Sequence, residues 1–547
     1  MRIFPILILL LLFLNTNILI AQESHDFEIS KNLDIYTSLI QQLDLHYVDE
    51  IEPGTLSKAA IDAMLKQIDP YTVYYPESEI EDVRFMQTGK YGGVGTTVHR
   101  KNNEVVVGAT YPGFPFYRAG IRAGDILLKV DGENISGKSM NQIADKMRGA
   151  SGTEVTVLYR KSKSKEEVSV VLKREEIQMK DVPYFGILQD SIGYIKLSSF
   201  RKTATQEIIE ALDSMSRSNG LNSLVLDLRG NGGGLLIESV KIMDLFVGAK
   251  ELIVSTKGKT KAESHNYSTR AKAFYPNMKV VVLVDNNSAS ASEIVSGSFQ
   301  DLDRGVIMGQ KTFGKGLVQK VFTLSYRSQA KITVAKYYIP SGRCIQSLDY
   351  QHKDAKGHAI KTPDSLMAVF KTRNGRKVKD AGGVIPDVVL EQKKYDELMF
   401  ALMSQYMIFD FATNYVNTHD SVSDIDKLVI DDNVYNSFLS FVKADSFVFK
   451  TNTERELNLF ADMAKDDGYD LSENIDAIQM KIDIEKTAQY KKNKELIKSY
   501  IYQEIASRYA YDSGRVYIAL KNDADVKQAI KLLNDTVKYN NILKSVQ

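Results

Sequence analysis

The chain has 547 residues, 44% of them hydrophobic, and its 70 basic residues almost balance its 69 acidic ones. This length can hold three or four domains, and a nearly neutral chain without a basic tract argues against nucleic-acid binding. The single cysteine, Cys344, excludes an intramolecular disulfide and is interpreted as a packing position. The seven histidines lack metal-ligand spacing, so no metal site is expected.

The first 21 residues have the pattern of a secretory signal peptide. Arg2 supplies a positive charge, Ile6 to Leu14 form an apolar core, and Ala21 provides the small residue expected before a cleavage site. The apolar run is short for a membrane span, and an uncleaved anchor is the alternative. In a bacterium with an outer membrane, export would place the mature protein in the periplasm.

Residues 22–85 are predicted to form an N-terminal helical region. Leu39, Leu43 and Tyr47 recur at the spacing of one helix face, and Asp69-Pro-Tyr-Thr72 then breaks the pattern. Two plain helices satisfy this pattern, so the region has no function that can be predicted from its residues alone.

Residues 86–175 contain two stretches that resemble a PDZ domain. Tyr91-Gly-Gly-Val-Gly95 precedes a predicted strand from Thr96 to Arg100, and Ala119–Gly132 is the second matching stretch. A helix is predicted from Ser139 to Arg148. In PDZ domains a glycine-bearing loop binds the carboxylate of a peptide, and an open strand edge pairs with the peptide backbone. The candidate carboxylate-binding residues are Tyr91, Gly92, Gly93, Val94 and Gly95.

Two β-branched runs, Asn222–Leu228 and Lys279–Asp285, predict strands that are buried on both faces. The first run leads into Arg229-Gly-Asn-Gly-Gly-Gly234, where the glycines allow a ligand to approach the backbone closely. A phosphate-binding or merely tight turn is the alternative. Backbone amides near this loop are candidates for an oxyanion hole. These candidates are Gly232, Gly233 and Ala291.

The window between Ser288 and Gln319 combines several small serines with a glycine-flanked lysine, and it contains no histidine. A serine nucleophile needs a nearby base, and the candidate base close in sequence is Lys315. An apolar setting would favour the neutral amine that such a base requires. On a strand that begins beside Lys315, Gln319 would share its face and could accept a hydrogen bond from it.

The residues alone leave open which serine is the nucleophile. Ser290-x-x-Glu293 also fits a capping box, so a plain helix N-cap is the alternative for this segment. Both interpretations are compatible, because a serine at a strand-to-helix turn lies beside free backbone amides. The residues alone do not choose among Ser288, Ser290 and Ser292.

Four segments together resemble the C-terminal processing peptidases, also called tail-specific proteases. They are Asp227-Leu-Arg-Gly-Asn-Gly-Gly-Gly234, Ser288-Ala-Ser-Ala-Ser-Glu-Ile294, Phe313-Gly-Lys-Gly-Leu-Val-Gln319 and Pro340-Ser-Gly-Arg-Cys-Ile-Gln346. The resemblance covers roughly residues 30–390. It implies that Ser290 is the nucleophile, that Lys315 is the base and that Gln319 orients it, with no metal or cofactor. It further implies a crotonase-like ββα-spiral core over residues 176–390.

Three further residues near the expected site are interpreted as supporting ones. Glu293 and Thr312 are expected to hold the catalytic geometry without carrying the chemistry, and Asp301 is expected to be structural.

Residues 391–547 contain no proline, and their apolar residues recur at helical spacing, for example Ile497, Ile501 and Ile505. They predict a C-terminal helical domain. Restricting access, docking a partner and forming a homo-oligomer, to which the N-terminal helical region could also contribute, are open roles for it.

The sequence therefore predicts an α/β multidomain protein with a PDZ domain inserted before the hydrolase core. The resemblance implies a periplasmic serine endopeptidase that acts on proteins or peptides with free C-terminal tails. A catalytically inactive PDZ protein that only binds tails is one alternative, and a nonpeptide acyl hydrolase on the same scaffold is another. An empty PDZ domain that blocks the site until a tail binds is a further hypothesis.

Overall fold

The computed structural model describes residues 4–391, 395–419, 422 and 424–544. The chain forms two compact units, of which the first joins the N-terminal residues up to Glu77 with residues 319–333. Arg2, the charged residue of the predicted signal peptide, lies outside the described residues. Within the described part of the chain, no helix has the length and apolar character needed to cross a membrane.

The elements begin with four that precede the PDZ-like region: α1 (Phe4–His46), α2 (Pro53–Lys66), β1 (Val73–Tyr75) and α3 (Ile80–Thr88). The PDZ-like region contains β2 (Lys90–Gly93), β3 (Thr96–Lys101), β4 (Glu104–Thr110), α4 (Pro115–Arg118), β5 (Ile126–Val130), β6 (Glu133–Asn134), α5 (Met140–Met147), β7 (Glu154–Arg160), β8 (Glu167–Lys173) and β9 (Glu175–Gln178).

The next region alternates strands with helices, in the order β10 (Tyr184–Gln189), β11 (Ile192–Lys196), α6 (Ala204–Asn219), β12 (Ser223–Asp227), α7 (Leu236–Asp244), β13 (Leu252–Gly258), β14 (Asn266–Ser268), β15 (Lys279–Val284), α8 (Ala291–Asp301) and β16 (Val306–Gly309). It continues with β17 (Leu317–Thr323), β18 (Gln329–Tyr338), β19 (Leu348–Lys353), β20 (Ala359–Lys361), β21 (Val369–Lys371), β22 (Lys377–Lys379) and β23 (Val388–Val389).

The C-terminal region is helical, as its sequence predicts. Its helices are α9 (Glu397–Ser404), α10 (Met407–Thr418), α11 (Asp432–Ala444), α12 (Asn452–Asp466), α13 (Ser472–Lys492), α14 (Lys494–Lys521), α15 (Ala524–Asn534) and α16 (Thr536–Leu543). Five of these helices, α9, α10, α11, α13 and α14, contribute side chains to an apolar core of this region, which includes Leu402, Phe411, Phe438 and Ile501.

In the first unit, β1 pairs antiparallel with the start of β18, and Val73 is aligned with Lys331. In the second unit the end of β18 pairs with β13, where Ser255 is aligned with Tyr338.

The PDZ-like region is built on an antiparallel sheet with the strand order β3-β4-β5-β7-β8. β3 is an edge strand, and helix α5 packs beside it. The predicted helix from Ser139 to Arg148 is confirmed to within one residue, because Ser139 and Gln142 form a reciprocal capping box at its start. An edge strand next to a helix leaves the strand's outer backbone groups available to a peptide.

The hydrolase region is built on a six-stranded sheet with the order β10-β11-β12-β15-β16-β23, in which all neighbours after the β10-β11 pair are parallel. Alternate residues of β15 face opposite layers. Val280 and Val282 pack in the core that contains α6, α7 and α8, whereas Val281 and Leu283 pack in the core that contains α15 and α16. The prediction that this β-branched run is buried on both faces is confirmed. Two helices from the C-terminal region supply the second layer.

Candidate active site

The candidate nucleophile lies at a tight turn between a strand and a helix. β15 ends at Val284 and α8 begins at Ala291, and Ser290 between them has φ 56° and ψ −113°. A simple N-cap residue has an extended backbone, so capping alone does not require this conformation. Positive φ in a residue with a side chain is a strain that accumulates at functional sites, and a sharp turn of this kind exposes a nucleophile.

The three serines of this segment differ in what their hydroxyls do. The Ser288 hydroxyl is fully buried and donates to the carbonyl of Leu228 at 2.8 Å. The Ser292 hydroxyl is fully buried as well and donates to the carbonyl of Asn231 at 2.8 Å. Both serines therefore tie the segment to the glycine loop. Ser290, which is only half-buried at the start of α8, is the candidate nucleophile of the three.

Glu293 connects the segment around Ser290 to the segment around Lys315. Its Oε2 accepts the backbone N–H of Ser290 at 2.9 Å and that of Lys315 at 2.9 Å. Because one oxygen holds both amides, the two nitrogens cannot be farther apart than twice that distance. A single carboxylate thus brings the backbone of the candidate base to that of the candidate nucleophile, although 25 positions separate them in sequence.

The other carboxylate oxygen of Glu293 binds the segment that precedes Lys315. Oε1 accepts the Thr312 hydroxyl at 2.6 Å and the amide of Gly314 at 2.7 Å. The side chain is fully buried, and burial raises the pKa of the Glu293 carboxyl, while the hydrogen bonds from Thr312 and the backbone amides lower it in part. The supporting role predicted for Glu293 and Thr312 agrees with these contacts.

The glycine loop lies directly against the candidate nucleophile. A Cβ on Gly233 would lie 2.8 Å from Cβ of Ser290 and 2.9 Å from the nitrogen of Ala291, and its φ is +97°. No side chain fits there, which explains this glycine. Gly232 differs, because no atom beyond its two chain neighbours lies within 4 Å of the position of its Cβ.

The candidate oxyanion donors are backbone amides at the start of α8 and in the glycine loop. Ala291 is the first residue of α8, where an amide has no acceptor within the helix. The amide of Gly233 donates to Oδ1 of Asn231 at 2.8 Å, so it would have to share or exchange that bond to hold an oxyanion. The oxyanion roles of Gly232, Gly233 and Ala291 stay predictions.

Two buried residues that the sequence analysis did not identify form hydrogen bonds with the backbone beside the candidate nucleophile. Asn231 is fully buried, and its carbonyl accepts the amide of Ala289 at 3.0 Å. The Tyr337 hydroxyl, also buried, donates to the carbonyl of Ser290 at 3.1 Å. Asn231 stands within a recognised motif, but Tyr337 gave no signal, because it lies in an ordinary strand pattern.

An ion-pair network ties the base of the glycine loop to the C-terminal helical region. The Arg229 guanidinium lies 2.7 Å from the buried Asp227 carboxylate, 2.9 Å from Asp523 and 2.9 Å from Asp525. Asp523 is also the N-cap of α15, and it accepts the amides of Asp525 and Val526. The start of α15 therefore acts as an anchor for the loop that faces Ser290.

Gln319 belongs to the first unit, where its side-chain Nε2 donates to the Thr333 hydroxyl at 3.2 Å. The amide of Thr333 in turn donates to the Thr72 hydroxyl at 3.1 Å. The predicted role of Gln319 in orienting Lys315 stays a prediction.

A groove of about 360 Å³ lies between the edge strand β3 and helix α5. Apolar side chains from both elements form its walls, including Val98, Met140, Ala144 and Met147. Tyr91, Val94 and Gly95 lie at one end, together with Arg148, whose guanidinium is 5.8 Å from the centre of the Tyr91 ring. The groove therefore has the shape and lining expected for an extended peptide with an apolar last residue.

The predicted glycine-bearing loop is shorter than its motif suggests. Tyr91, Gly92 and Gly93 belong to β2, which pairs with β9 so that Tyr91 is aligned with Ile177. Only Val94 and Gly95 form the turn into β3. Gly92 accepts the amide of Gly149 at 3.1 Å, and these glycines thus permit close backbone contacts within the fold.

Models of three protein families match parts of the chain. Peptidase family S41 matches residues 191–352, a PDZ domain matches residues 106–161, and "Probable PDZ-protease, C-terminal helical domain" matches residues 398–533.

Known proteins are similar over more than half of the chain. A "Carboxy-terminal-processing protease" from Bartonella bacilliformis is 33% identical over 321 residues, which cover 58% of this chain and 73% of that protein. A "Probable CtpA-like serine protease" from Staphylococcus aureus is 33% identical over 315 residues, which cover 57% of this chain and 62% of that protein. The solved photosystem II D1 C-terminal processing protease has 26% identity and a TM-score of 0.34, covering 65% of this chain and 92% of that one. The chain therefore belongs to peptidase family S41, with the carboxy-terminal-processing serine proteases as its relatives.

Proposed function

We propose that this protein is an endopeptidase that binds C-terminal tails of other proteins in its PDZ groove and cleaves them through an acyl-enzyme on Ser290. The observation that carries the proposal is the shared carboxylate oxygen of Glu293, which accepts the amides of both Ser290 and Lys315. A serine nucleophile needs a base beside it, and the shared carboxylate brings the backbone of Lys315 next to that of Ser290.

The proposed reaction has two halves, acylation of Ser290 and hydrolysis of the resulting ester. The neutral amine of Lys315 takes the proton from the Ser290 hydroxyl, and the serine oxygen attacks the carbonyl carbon of the scissile peptide bond. The oxyanion is held by amides at the start of α8 and in the glycine loop, at Ala291 and Gly233. Lys315 then gives its proton to the leaving amine as the C–N bond breaks. Water, deprotonated by the same lysine, hydrolyses the ester and restores Ser290.

Tail recognition uses the edge of β3. An extended peptide adds as a further strand, and its terminal carboxylate meets the backbone at Val94 and Gly95. The apolar wall formed by α5 receives the last side chain. Binding to this groove selects proteins with a free and apolar C-terminus.

The test compares two unfolded substrates that differ only at the C-terminus, one with a free apolar tail and one with the same tail amidated. The free tail should be cleaved with a kcat/KM about tenfold higher or more, since loss of one charged group at a binding site costs roughly 1.5–3 kcal/mol. Equal cleavage of the two would contradict tail recognition. Failure to cleave either substrate would favour the alternative of an inactive tail-binding protein.

We further propose the crotonase-like form of the core that the family resemblance implies, domain boundaries at residues 85/86, 175/176 and 390/391, and a periplasmic location after removal of residues 1–21. A mature protein that retained its N-terminal residues would contradict the proposed signal cleavage, and N-terminal sequencing of the exported protein measures this directly.

A further inference from the structure

A second cavity, of about 480 Å³, lies between the PDZ sheet and the C-terminal helical region, and is called the interdomain cavity here. Its PDZ side includes Thr97 and His99 of β3, and its helical side includes Tyr406, Phe409 and Gln503. Thr97 and Tyr111 line both this cavity and the peptide groove. The two spaces therefore adjoin each other along the edge strand.

Successive side chains of β3 point alternately toward the peptide groove and toward the interdomain cavity, because neighbouring residues of a strand face opposite sides. Val98 packs against the apolar core of the PDZ-like region. Thr97 and His99 lie on the opposite face, because a Cβ on Gly108 would be 3.0 Å from the Thr97 hydroxyl and 3.3 Å from Nδ1 of His99. The His99 ring stacks on Tyr406 with 3.9 Å between the ring centroids, so this face of β3 points toward the helical region.

A peptide that pairs with β3 must alternate in the same way, because residues opposite each other in a ladder share a face. With the carboxylate at Val94 and Gly95, the last residue lies opposite Thr96 and the penultimate residue lies opposite Thr97. We propose that the interdomain cavity receives the penultimate side chain of the tail and the one two positions before it. The C-terminal helical region then forms half of the tail-binding site. This inference rests on the tail recognition proposed above.

The lining indicates which side chains fit. The walls are apolar and aromatic, with Met403, Tyr406 and Phe409 among them. Of the charged lining residues, Glu504 lies 3.1 Å from Arg515 and also 2.7 Å from Arg508 beside the cavity, and Asp512 is exposed. Burial lowers the pKa of His99 to about 4, helped by Arg508 and Lys101, so its ring is neutral at neutral pH. An apolar or aromatic side chain is the ligand that this cavity accommodates best.

The test measures peptide binding to the full chain carrying Ser290→Ala, so that no peptide is cleaved. Two labelled peptides share an apolar last residue and differ in the penultimate residue, which is Phe in one and Gly in the other. Fluorescence anisotropy should show that the Phe peptide binds about tenfold more tightly, as partial burial of an aromatic side chain provides.

Two variants of the cavity should change that preference in different ways. Tyr406→Ala removes one wall and should reduce the preference to about twofold or less, with the affinity for the Gly peptide unchanged. Gln503→Trp fills the cavity and should weaken only the Phe peptide, by about tenfold. Tyr469→Ala is the matched control, because Tyr469 lies in the same helical region and its side chain is 65% exposed.

The outcomes separate this inference from the proposed function. If the Gly and Phe peptides bind equally well to the parent protein, or if both cavity variants keep its preference, the helical region does not contact the tail and the inference is wrong. Tail recognition by the groove would still stand in that case. If neither peptide binds, the proposed tail recognition fails, and the inference fails with it.

Discussion

Replacing Lys315 by arginine should abolish cleavage as completely as replacing it by alanine, with kcat lowered about 10⁴-fold in both variants. An arginine keeps the positive charge, but its guanidinium cannot be deprotonated in a protein. A general base has to accept the proton of Ser290, so the two substitutions remove the same step. An electrostatic role for the lysine would instead be rescued by arginine.

Two control variants make this result specific. The double variant Ser290→Ala, Lys315→Ala should be no slower than either single variant, because residues that act as one unit have non-additive effects. Lys320→Ala, which removes an exposed lysine nearby in sequence, should keep the wild-type kcat. Single-turnover cleavage of one tailed substrate measures the rate of every variant, after circular dichroism has shown that each variant is folded. A Lys315→Arg variant within tenfold of wild type would contradict the base role.

The sequence predicts those parts of the site that follow from local patterns. The β-branched run before Ser290 had to be buried on both faces, and β15 confirms this, with α8 and α15 packing on opposite sides of it. The capping pattern Ser290-x-x-Glu293 predicted the contact from the Ser290 amide to Glu293. A short motif contains both partners of such a contact, so no tertiary information is needed.

The parts that the sequence did not predict depend on partners that are distant along the chain. The capping pattern gives no indication that Glu293 also accepts the amides of Gly314 and Lys315, which belong to another loop. Asp523-Ala-Asp525 is recognisable as a helix start, but nothing in it points to Arg229. Such contacts are fixed by how the helices pack on the sheet, and periodic patterns do not contain that information.

The PDZ motif shows the same difference between a local pattern and a contact with a distant part of the chain. Tyr91-Gly-Gly-Val-Gly95 matched a carboxylate-binding loop, yet its first three residues pair with β9. Glycines that look like a ligand loop also allow a strand to pass close to another backbone, as Gly92 does beside Gly149. The motif therefore lies partly in a paired strand and partly in the turn into β3, and the carboxylate-binding role of its five residues stays a prediction.

Glu293→Gln should lower kcat about 10²- to 10³-fold and leave KM nearly unchanged, because the Glu293 side chain is fully buried and holds the backbone amides of Ser290 and Lys315. An amide keeps one acceptor oxygen, but its NH₂ group cannot accept the two hydrogen bonds made to the other oxygen. Each buried donor that loses its acceptor costs roughly 1–3 kcal/mol, so the variant should also unfold at a lower temperature.

The control separates positioning from stability. Glu238 is a buried carboxylate on α7 that accepts the Thr205 hydroxyl at 2.5 Å and the Lys241 amine at 2.7 Å. Glu238→Gln should lower the melting temperature by a similar amount while kcat stays at the wild-type value, since none of these groups lies at the Ser290 turn. A Glu293→Gln variant that behaves in the same way would show that Glu293 is only structural.

Acidification gives an independent check on Glu293. Because burial raises its pKa, the folded protein protonates this carboxyl at a higher pH than an ordinary glutamate would require. As the pH falls through that range, the wild type acquires a neutral side chain in place of the carboxylate and comes to resemble Glu293→Gln. The ratio of the wild-type kcat to that of Glu293→Gln should therefore approach one as the pH is lowered. A constant ratio at every pH would show that the charge of Glu293 does not hold the two amides in their catalytic position.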